Sequence, residues 1–424
     1  MLSSKASLSW LLTSLLIPVC QSAPHPSGCR PADRPYSAWM ADSVIARGQA
    51  IAPPGKPEPS IALQIGFFQT AILRLLDHHD RSVPSCQTTR WEEYLTNSTA
   101  SIAPMLGNAS QDTQLFPLDR LSTARGLLHD YEKTNNTVDR RALDSLRQSI
   151  DFQPTNEYGG LWYFTYPNWS YLDGMYSLIP FNWLYATRFD PASTSSIVDQ
   201  SIRQLDLLWQ HCYDNSTGLL VHGYDGSKTA VWASSLTGAS PIIWDRSLAW
   251  YFMTLVDMLE LLTLKRSPGA AEQRYIRYLR GRVSALADAV IAVADTDSGC
   301  WWQVMTAARQ EENYIESSGS AMFTYALLKG ARLGFLDSER VTRSKIVELA
   351  SKCYGYMVNQ FVVEEDDGTL GYNGTVSVCS LNSSATYEYY VNQPLLYNSV
   401  HGSAAFVLAS LEHEIWRGQH VEVV

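Results

Sequence analysis

Residues 166–181 read YPNWSYLDGMYSLIPF, in which aromatic residues surround one acid, Asp173, and lead directly into an apolar run. The apolar residues recur with the period of a helix, and the same period returns along most of the chain. We count about twelve such helical stretches: roughly 36–50, 60–78, 88–101, 118–132, 138–150, 172–187, 195–213, 243–264, 270–294, 315–333, 338–360 and 400–416. Alternation typical of strands is scarce. Twelve helices predict six antiparallel hairpins closed into an all-α toroid, (α/α)6, with an inner and an outer layer.

The composition indicates a globular chain. Hydrophobic residues make up 46% of the 424 residues and charged residues only 17%, which excludes an intrinsically disordered chain. The formal net charge is −10 and no cluster of Lys and Arg interrupts it, which argues against nucleic acid as a partner. No long linker or change of composition divides the chain, so we expect a monomer with one domain over residues 24–424.

The N-terminus has the features of a secretory leader. Lys5 precedes the apolar run ASLSWLLTSLLIPVC, and the small residues of QSA follow where a signal peptidase would cut. We therefore predict a signal peptide over residues 1–23, a secreted, extracellular mature chain and no membrane partner, because the run is too short to span a bilayer. Glycosylation sequons support secretion. They begin at Asn97, Asn108, Asn135, Asn168, Asn215, Asn373 and Asn382.

Cleavage of this leader would remove Cys20 and leave six cysteines. They are Cys29, Cys86, Cys212, Cys300, Cys353 and Cys379. These cysteines can form disulfides in an oxidising compartment, and the sequence does not choose among the possible pairings.

Aromatic residues concentrate between the predicted helices. The segments are GGLWYFTYPNWSY (159–171), SPIIWDRSLAWY (240–251) and CWWQV (300–304). A ring of hairpins gathers the loops at one end of its inner helices around a funnel, where a ligand pocket is expected. Aromatic faces with few charges suit stacking against sugar rings, although large aromatic residues can equally plug the centre of a toroid.

Two acids at helix starts are candidates for acid–base chemistry. Asp173 could simply be an N-cap, but a carboxyl group among aromatic residues loses solvation, which raises its pKa and suits a general acid. Asp119, in FPLDRLSTARGLLHDY, could be a cap paired with Arg120 or Arg125. If it faces Asp173 across the funnel, the two carboxylates would share a proton, which raises the pKa of one of them. One acid would then protonate the ligand, and the other would orient the ligand or adjust the pKa of the first.

Arg246, in IIWDRSLAWY, is a candidate for binding an acidic ligand. A guanidinium recognises a carboxylate through two parallel hydrogen bonds, so an acidic sugar would fit. Trp244 and Trp250 bracket it, and Trp250 is four residues on and thus on the same helical face. The plain alternative is an ion pair of Arg246 with Asp245 or Asp257.

His222, in LLVHGYD, completes the candidate set, although a single histidine is more often structural than catalytic.

Other chemistries lack their motifs. The sequence contains no HExxH, CxxC or calcium-loop spacing for a metal, no P-loop, no GxGxxG and no GxSxG. Acid–base chemistry on a carbohydrate, without cofactor or metal, is what remains.

Six ordered blocks carry a family resemblance. They are PLDRLSTARGLL, GGLWYFTYPNWSYLDGMYSLIPF, LLVHGYD, TGASPIIWDRSLAWY, ESSGSAMFTYALLKGARLG and VHGSAAFVLASLE. With them the chain, from about residue 36 to 414, resembles glycoside hydrolase family 105, the unsaturated rhamnogalacturonyl hydrolases of six-hairpin fold, and in particular their secreted fungal branch. The resemblance implies hydration of the C4=C5 double bond of an unsaturated galacturonyl unit, which is thereby released from the non-reducing end of lyase-generated pectin or rhamnogalacturonan oligosaccharides.

The resemblance also implies roles for residues of this sequence. Asp173 matches the family's catalytic aspartate, which protonates C4 and then activates water, and Asp119 matches its second acid. The implied substrate-binding positions are Tyr171, His222, Trp244, Arg246 and Trp250. Of these, Arg246 would bind the uronate carboxylate and Tyr171 would stack on the sugar. The resemblance implies no cofactor and no metal.

Three features bear on how closely the family pattern applies. Asp245 places a negative charge beside Arg246, which would weaken binding of an acidic substrate if it pointed inward and change little if it pointed to solvent. The segment YFTYP after Trp162 lacks a basic pair of bacterial relatives, which leaves the second sugar subsite open. The sequon at Asn168 lies five residues before Asp173, so we predict that it is unglycosylated.

Two other functions fit the same residues. The toroid could hydrolyse ordinary glycosidic bonds with Asp119 and Asp173 as its two carboxylates. The chain could also be a carbohydrate-binding pseudoenzyme whose site Asp245 has weakened. Only the hydration reaction yields a keto acid, and only the pseudoenzyme would bind sugar without turnover.

Overall fold

Helices dominate the computed structural model, as the sequence predicts. The structure describes residues 34–55, 58–79, 85–264, 267–336 and 342–421. Within these residues the helices are α1 (Tyr36–Ala46), α2 (Ile61–His78), α3 (Cys86–Ile102), α4 (Ala109–Leu115), α5 (Ala124–Thr134), α6 (Thr137–Asp151), α7 (Gly174–Phe189), α8 (Thr194–Cys212), α9 (Asp245–Thr263), α10 (Ala270–Ala292), α11 (Ser317–Arg332), α12 (Arg343–Gln360), α13 (Tyr387–Val391) and α14 (Val400–Val421). The predicted signal peptide over residues 1–23 lies outside the described residues.

The long helices close into a ring of two layers. The inner layer consists of α2, α5 with the 3₁₀ helix before it (Leu118–Thr123), α7, α9, α11 and α14, each in contact with the next. Helix α14 contacts α2, which closes the ring. The outer layer consists of α1, α3, α6, α8, α10 and α12, and each of these packs on an inner helix. The predicted (α/α)6 toroid is therefore confirmed.

Inner and outer helices differ in burial as their sequences require. Almost every residue of the inner helices α9 and α11 is buried, because other helices cover them on all sides. The outer helix α8 buries only one face, which begins with Ile197, Val198 and Ser201 and returns at Leu205 and Leu208. No helix in the described part of the chain is long and apolar enough to cross a membrane.

Two short helices, α4 and α13, are additional to the twelve predicted, and the fourth predicted stretch is divided. Its first residues, Leu118–Thr123, form a 3₁₀ helix that precedes α5. There the hydroxyls of Ser122 and Thr123 donate to the carbonyls of Asp119 and Arg120, three residues back. Such local bonds compete with the α-helical ladder and favour the tighter turn.

The described strands are short and pair as three antiparallel ladders. They are β1 (Trp169–Tyr171) with β2 (Gly223–Asp225), β3 (Val362–Glu364) with β4 (Leu370–Tyr372), and β5 (Thr375–Val376) with β6 (Leu395–Leu396). In the first ladder Ser170 lies opposite Tyr224. Because β1 ends just before α7 begins, this ladder determines where the start of α7 lies.

One disulfide is present in the part of the chain that the structure describes. It joins Cys300, before α11, to Cys353 in α12. Cys86, Cys212 and Cys379 carry free thiols. The remaining pairing possibilities involve Cys29, which lies outside the described residues.

Candidate active site

A pocket opens at the start of α7, among the loops that join the inner helices. Its cavity volume is about 140 Å³, or about 700 Å³ when the open space at its mouth is included. Six of the seven residues predicted from the sequence line it: Asp119, Tyr171, Asp173, Trp244, Arg246 and Trp250. The seventh, His222, lies behind the pocket wall. The structure thus brings the predicted residues together at one end of the ring.

Asp173 is held where strand β1 passes into α7. A hydrogen bond from Leu172 N to His222 O (3.1 Å) continues the β1–β2 ladder up to it. Asp173 occupies the N-cap position, yet its side chain makes no capping bond. The next residue is Gly174, where a Cβ would lie 2.9 Å from Leu118 Cδ1. The close approach at Gly174 brings Leu118 against the helix start, and the Asp173 carboxylate is left to line the pocket.

Two neighbours lie against one oxygen of the Asp173 carboxylate. Ser247 Oγ, in the first turn of α9, donates to Oδ2 at 2.5 Å. His222 Nε2 lies 3.3 Å from the same oxygen. Only 7% of Asp173 is exposed, and no described residue donates to Oδ1. One carboxylate oxygen is therefore held by the protein, and the other is left for a ligand.

His222 supports this acid from behind the pocket. Its ring is buried between Tyr171 and Trp244, with ring centres 5.1 and 5.0 Å away. Nδ1 shares a hydrogen bond of 2.6 Å with Tyr390 OH, which orients the ring. Nε2 thereby faces Asp173. The geometry makes this histidine a positioning residue for the acid.

Asp119 is the second buried acid of the pocket. Burial raises its pKa to about 7; the Tyr163 hydroxyl opposes that shift by donating to Oδ2 at 2.5 Å, and the charge of Asp173 adds to it. Oδ1 is buried, and no described residue donates to it. Asp119 therefore keeps its proton to near-neutral pH and has one oxygen without a partner.

Neither arginine that the sequence offered as a partner of Asp119 is paired with it. Arg120 is buried and donates to Ser149 Oγ at 2.9 Å. Arg125 points to the ring interior, where Nη2 lies 3.6 Å from Asp257 Oδ2. The interpretation of Asp119 as an acid ion-paired with a neighbouring arginine is wrong, because Arg120 bonds to α6 and Arg125 lies nearest to the Asp257 carboxylate of α9.

Aromatic rings surround the two acids and pack on one another. Tyr163 and Tyr171 stack at 4.3 Å with their planes 11° apart, so each covers one face of the other. Trp250 meets Phe67 edge to face at 4.6 Å and is 1% exposed. Much of the aromatic surface is therefore used within the protein, and a ligand meets the ring edges and faces that remain.

Arg246 lines the pocket and is anchored by the protein. Nη1 donates to Ser318 Oγ at 3.0 Å and to Val376 O at 2.8 Å, and Nη2 donates to Ser377 O. These bonds use three of the five N–H donors of the guanidinium. The remaining two are left for a ligand. The same bonds tie α9 to the segment after β5, which forms part of the pocket wall.

The ion partner of Arg246 is Glu316, whose Oε1 lies 3.6 Å from Nη1. Glu316 is the N-cap of α11 and accepts from Gly319 N at 2.6 Å. The alternative partners named from the sequence were Asp245 and Asp257. Asp257 pairs instead with Lys329 at 2.7 Å. The predicted ion pair is therefore wrong in its partner, because the acid that meets the guanidinium comes from another helix.

Comparison with known proteins places the chain in a family. The sequence model of Glycosyl Hydrolase Family 88 matches residues 84–416. The chain belongs to this family. It is therefore a glycoside hydrolase. A curated relative, Protein Atu3128 of Agrobacterium fabrum, is 30% identical over 222 residues, which cover 51% of this chain and 90% of that protein.

Solved structures share the fold of this family 88 hydrolase. A family 105 glycoside hydrolase from C. acetobutylicum has a TM-score of 0.75 at 28% identity, over 90% of this chain and 100% of that chain. An unsaturated glucuronyl hydrolase from Bacillus sp. GL1 has a TM-score of 0.58 at 12% identity, over 90% of this chain and 95% of that chain, a likeness in fold alone. The resemblance to family 105 is supported, and the secreted fungal branch stays a prediction.

Asp245 of the hydrolase points neither into the pocket nor to solvent. It is fully buried, Oδ1 accepts from Arg246 N at 2.7 Å, and a Cβ on Gly319 would collide with Oδ2. Burial and then the charge of Glu316 raise its pKa well above the usual range. A protonated Asp245 adds no negative charge beside Arg246. Neither orientation considered from the sequence is therefore present.

His401 is a residue of the hydrolase pocket that sequence reasoning missed. It is the second residue of α14, it is 5% exposed, and no described residue bonds to Nε2. Burial and then the charge of Arg246 lower its pKa to about 3, so the ring is neutral. The block VHGSAAFVLASLE was the available signal, but a histidine at the start of an apolar helix has many ordinary explanations.

The hydroxyl groups that hold the predicted residues were also missed. Ser247 holds Asp173, Tyr163 holds Asp119 and Tyr390 holds His222. Serine and tyrosine are common in this chain and follow no diagnostic spacing at these positions. Their roles follow only from contacts across the pocket.

Proposed function

We propose that this hydrolase releases a 4,5-unsaturated uronic acid, of the galacturonyl type, from the non-reducing end of lyase-generated rhamnogalacturonan oligosaccharides. The observation that carries the proposal is the meeting of two buried acids, Asp173 and Asp119, in one aromatic pocket beside Arg246. Such a pocket supplies a proton donor for a vinyl ether and a cation for the uronate carboxylate. The name of the Bacillus sp. GL1 protein, an unsaturated glucuronyl hydrolase, supports the reaction class.

In the proposed reaction Asp173 transfers its proton to C4 of the unsaturated ring, and the positive charge that develops at C5 is shared with the ring oxygen. Water adds to C5 and returns a proton to Asp173, which restores the acid. The hemiketal formed at C5 opens to a ketone, and the hemiacetal left at C1 releases the remaining saccharide. One water molecule is consumed, and no cofactor takes part.

The neighbours of Asp173 suit this role. Ser247 donates to Oδ2, and His222 Nε2 lies 3.3 Å from the same oxygen, so Oδ1 is the oxygen directed at the substrate. Asp119 holds its proton below about pH 7, so in mildly acidic medium it donates a hydrogen bond to the sugar. The two acids thus take two roles: each accepts from one hydroxyl, but Asp173 has His222 beside it and Asp119 has a pKa raised to about 7.

Arg246 binds the uronate carboxylate in this proposal. Two of its N–H groups are not used by the protein, which is the number that a paired contact with a carboxylate requires. Asp245, held protonated, does not repel the ligand. His401, neutral and with Nε2 unpartnered, lies where it donates to a substrate hydroxyl.

The decisive experiment follows the ultraviolet absorbance of the conjugated double bond. Lyase-generated rhamnogalacturonan oligosaccharides are compared with saturated oligosaccharides of equal length. We expect the absorbance to disappear with formation of a keto acid, and the saturated series to stay intact. Release of a saturated terminal sugar would indicate ordinary two-carboxylate hydrolysis. A folded protein that leaves both galacturonyl and glucuronyl substrates unchanged, while sugar raises its melting temperature, would be a binding protein.

We also propose that the chain is exported after removal of residues 1–23. Six of the seven sequon asparagines are exposed, and Asn168 is half-buried. Exposed sequons are compatible with passage through a glycosylating compartment. N-terminal sequencing of protein from the medium of a eukaryotic host should begin just after Ser22 or Ala23. Retention of the chain in the cells with Met1 in place would contradict export.

A further inference from the structure

A second pocket lies next to the active-site pocket. It encloses about 780 Å³ including its open mouth. Two indole rings line it, Trp169 and Trp232, which meet edge to face at 5.1 Å. Asn168, Thr229 and Asn382 add amide and hydroxyl groups, and none of its described lining residues is charged. Aromatic faces surrounded by uncharged polar groups are the lining that a neutral sugar requires.

Two chain segments connect this pocket to the active site. In the turn from Tyr166 to Trp169, the tyrosine lines the active-site pocket and the tryptophan lines the second pocket, with ring centres 5.4 Å apart. In another segment, Ser380 lines the first pocket and Asn382 lines the second. The two pockets therefore share two borders, each only a few residues long. A saccharide that extends from the first pocket across either border would reach the second.

The walls of the second pocket are preformed. Trp232 Nε1 donates to Leu381 O at 2.7 Å, which holds the indole in place. Buried Asp225 accepts from Ser227 N and Thr229 N, each at 2.8 Å, and this organises the loop after β2. A wall that is already ordered loses little conformational entropy when a ligand binds.

We propose that this pocket is a subsite for a neutral sugar unit of the leaving saccharide. Trp169 stacks on the CH face of the ring, and the amides of Asn168 and Asn382 bind its hydroxyl groups. An acidic sugar is a poorer occupant, because no described lining residue supplies a cation for its carboxylate. The inference rests on the proposed function for the reaction, and it adds that the preferred substrate carries a neutral sugar beyond its first two units, such as a neutral branch on the rhamnose.

The test compares kcat/KM between the wild type and Trp169→Ala for an unsaturated uronyl disaccharide and for tri- and tetrasaccharides in which a neutral sugar follows the first two units. The wild type should prefer the longer substrates by about tenfold, mainly through KM, which is the order of magnitude for one aromatic stacking contact. Trp169→Ala should lose this preference and keep the wild-type rate on the disaccharide. Trp169→Phe should recover part of the preference.

Phe152→Ala is the matched control, since Phe152 is an aromatic residue with 52% exposure that lines neither pocket. It should keep the full preference for length. The inference is overturned if Trp169→Ala slows the disaccharide and the longer substrates equally, because the indole would then act on the fold or on the active site. A wild type that is indifferent to substrate length also overturns it.

A binding experiment separates this inference from the proposed function. Saturation-transfer NMR with methyl rhamnoside and methyl glucoside, which carry no uronate, should show contact with the wild type and none with Trp169→Ala. This holds whether or not unsaturated substrates are turned over. No contact with either glycoside in the wild type overturns the subsite. Contact together with inactivity on every unsaturated substrate overturns the proposed function alone.

The sequon at Asn168 provides an independent readout. Asn168 lines the second pocket and is half-buried, so an attached glycan would occupy the proposed subsite. Intact-glycopeptide mass spectrometry of protein from a eukaryotic secretory host should show Asn168 unmodified, and also Asn382, the other sequon asparagine that lines the pocket. Full occupancy of Asn168 would contradict a free sugar subsite.

Discussion

Asp119 and Asp257 are both buried inside the ring, yet their pKa values shift in opposite directions. Burial raises the pKa of Asp119 to about 7, and the cations near Asp119 are bonded elsewhere. Burial pushes the pKa of Asp257 the same way, but Lys329 at 2.7 Å outweighs it, helped by Arg74 and Arg125. The pKa of Asp257 therefore lies well below the usual range.

The comparison shows that burial alone does not decide the charge of an acid in this protein. The decisive factor is whether a cation from another helix reaches the carboxylate. The region around Asp257 neutralises its charges internally and joins helices α9 and α11. The region around Asp119 leaves a proton and an unpartnered oxygen beside the pocket. Only the second arrangement is suited to chemistry.

The largest expected effect comes from the acid that faces the substrate. Asp173→Asn keeps the shape of the side chain but cannot donate the proton, so kcat should fall by about 10³-fold. The rate is measured from the loss of the unsaturated chromophore. Far-ultraviolet circular dichroism and melting temperature should match the wild type. Activity within about tenfold of the wild type would assign the proton transfer to another residue.

The next largest effect concerns stability. Asp257→Asn removes the closest anion of the buried Lys329, whose ammonium keeps Glu260 Oε2 at 2.8 Å, so the free energy of unfolding should fall by about 2–3 kcal/mol in urea titrations at pH 7. Because the pKa of Asp257 is lowered by folding, its stabilisation is present above the ordinary value of 3.8 and disappears as pH falls further. The difference between variant and wild type should therefore shrink in acid.

A surface pair is the control for this prediction. Asp151 forms an i,i+4 pair with Arg147, and its side chain is 64% exposed. Asp151→Asn should change the free energy of unfolding by less than about 1 kcal/mol. A loss as large as that of Asp257→Asn would mean that the general charge balance, and not the buried network, controls stability.

Asp119→Asn should raise the free energy of unfolding at neutral pH, whereas Asp257→Asn should lower it. The folded state holds the Asp119 proton up to about pH 7, whereas the unfolded chain releases it near 3.8. The contribution of Asp119 to the free energy of unfolding of the wild type therefore falls as pH rises between those two values, by at most about 4 kcal/mol. Asp119→Asn cannot ionise, so it should be more stable than the wild type above pH 7 and similar to it near pH 4.

Urea titrations at pH 4.5 and pH 8 measure this difference. Activity gives the second readout: because the amide of Asp119→Asn can still donate a hydrogen bond, kcat should stay within about tenfold of the wild type. An Asp119→Asn variant that is less stable than the wild type at both pH values would show that the carboxyl group is an ordinary structural partner of Tyr163.

The smallest effect is expected at Asp245. Because this acid is already protonated, Asp245→Asn preserves its charge, and kcat/KM should stay within about threefold of the wild type. Glu316→Gln is the comparison, since Glu316 is the anion that meets Arg246, and it should have the larger effect. A loss above about tenfold for Asp245→Asn would place an ionised Asp245 in the site.

Much of the architecture followed from the sequence because its signals are local. Each of the twelve long helices was predicted from its apolar period, and the start of α7 after Asp173 was placed to within two residues. The clustering of Asp119, Asp173 and Arg246 was also predicted, since each lies at the start of an inner helix or close to one, where the loops of a toroid meet. Helix α4 and the 3₁₀ helix were not predicted, because short turns depend on single side-chain bonds.

The partners of these residues could not be predicted in the same way. His222 is oriented by Tyr390, 168 residues away, and Arg246 is anchored by Ser318 and Val376, 72 and 130 residues away. No periodicity or local motif links residues so far apart. Such contacts exist only after the hairpins have closed into a ring.

The sequence by itself determined the helices, the layers of the ring and which acids stand at the ends of inner helices. The physical reason is that helical period and turn chemistry depend on residues a few positions apart. Only the tertiary structure decided that Asp119 keeps a proton, that Asp257 loses one and that Asp245 adds no negative charge beside Arg246. Charge state depends on burial and on the nearest ions, and helices distant in sequence bring those ions together.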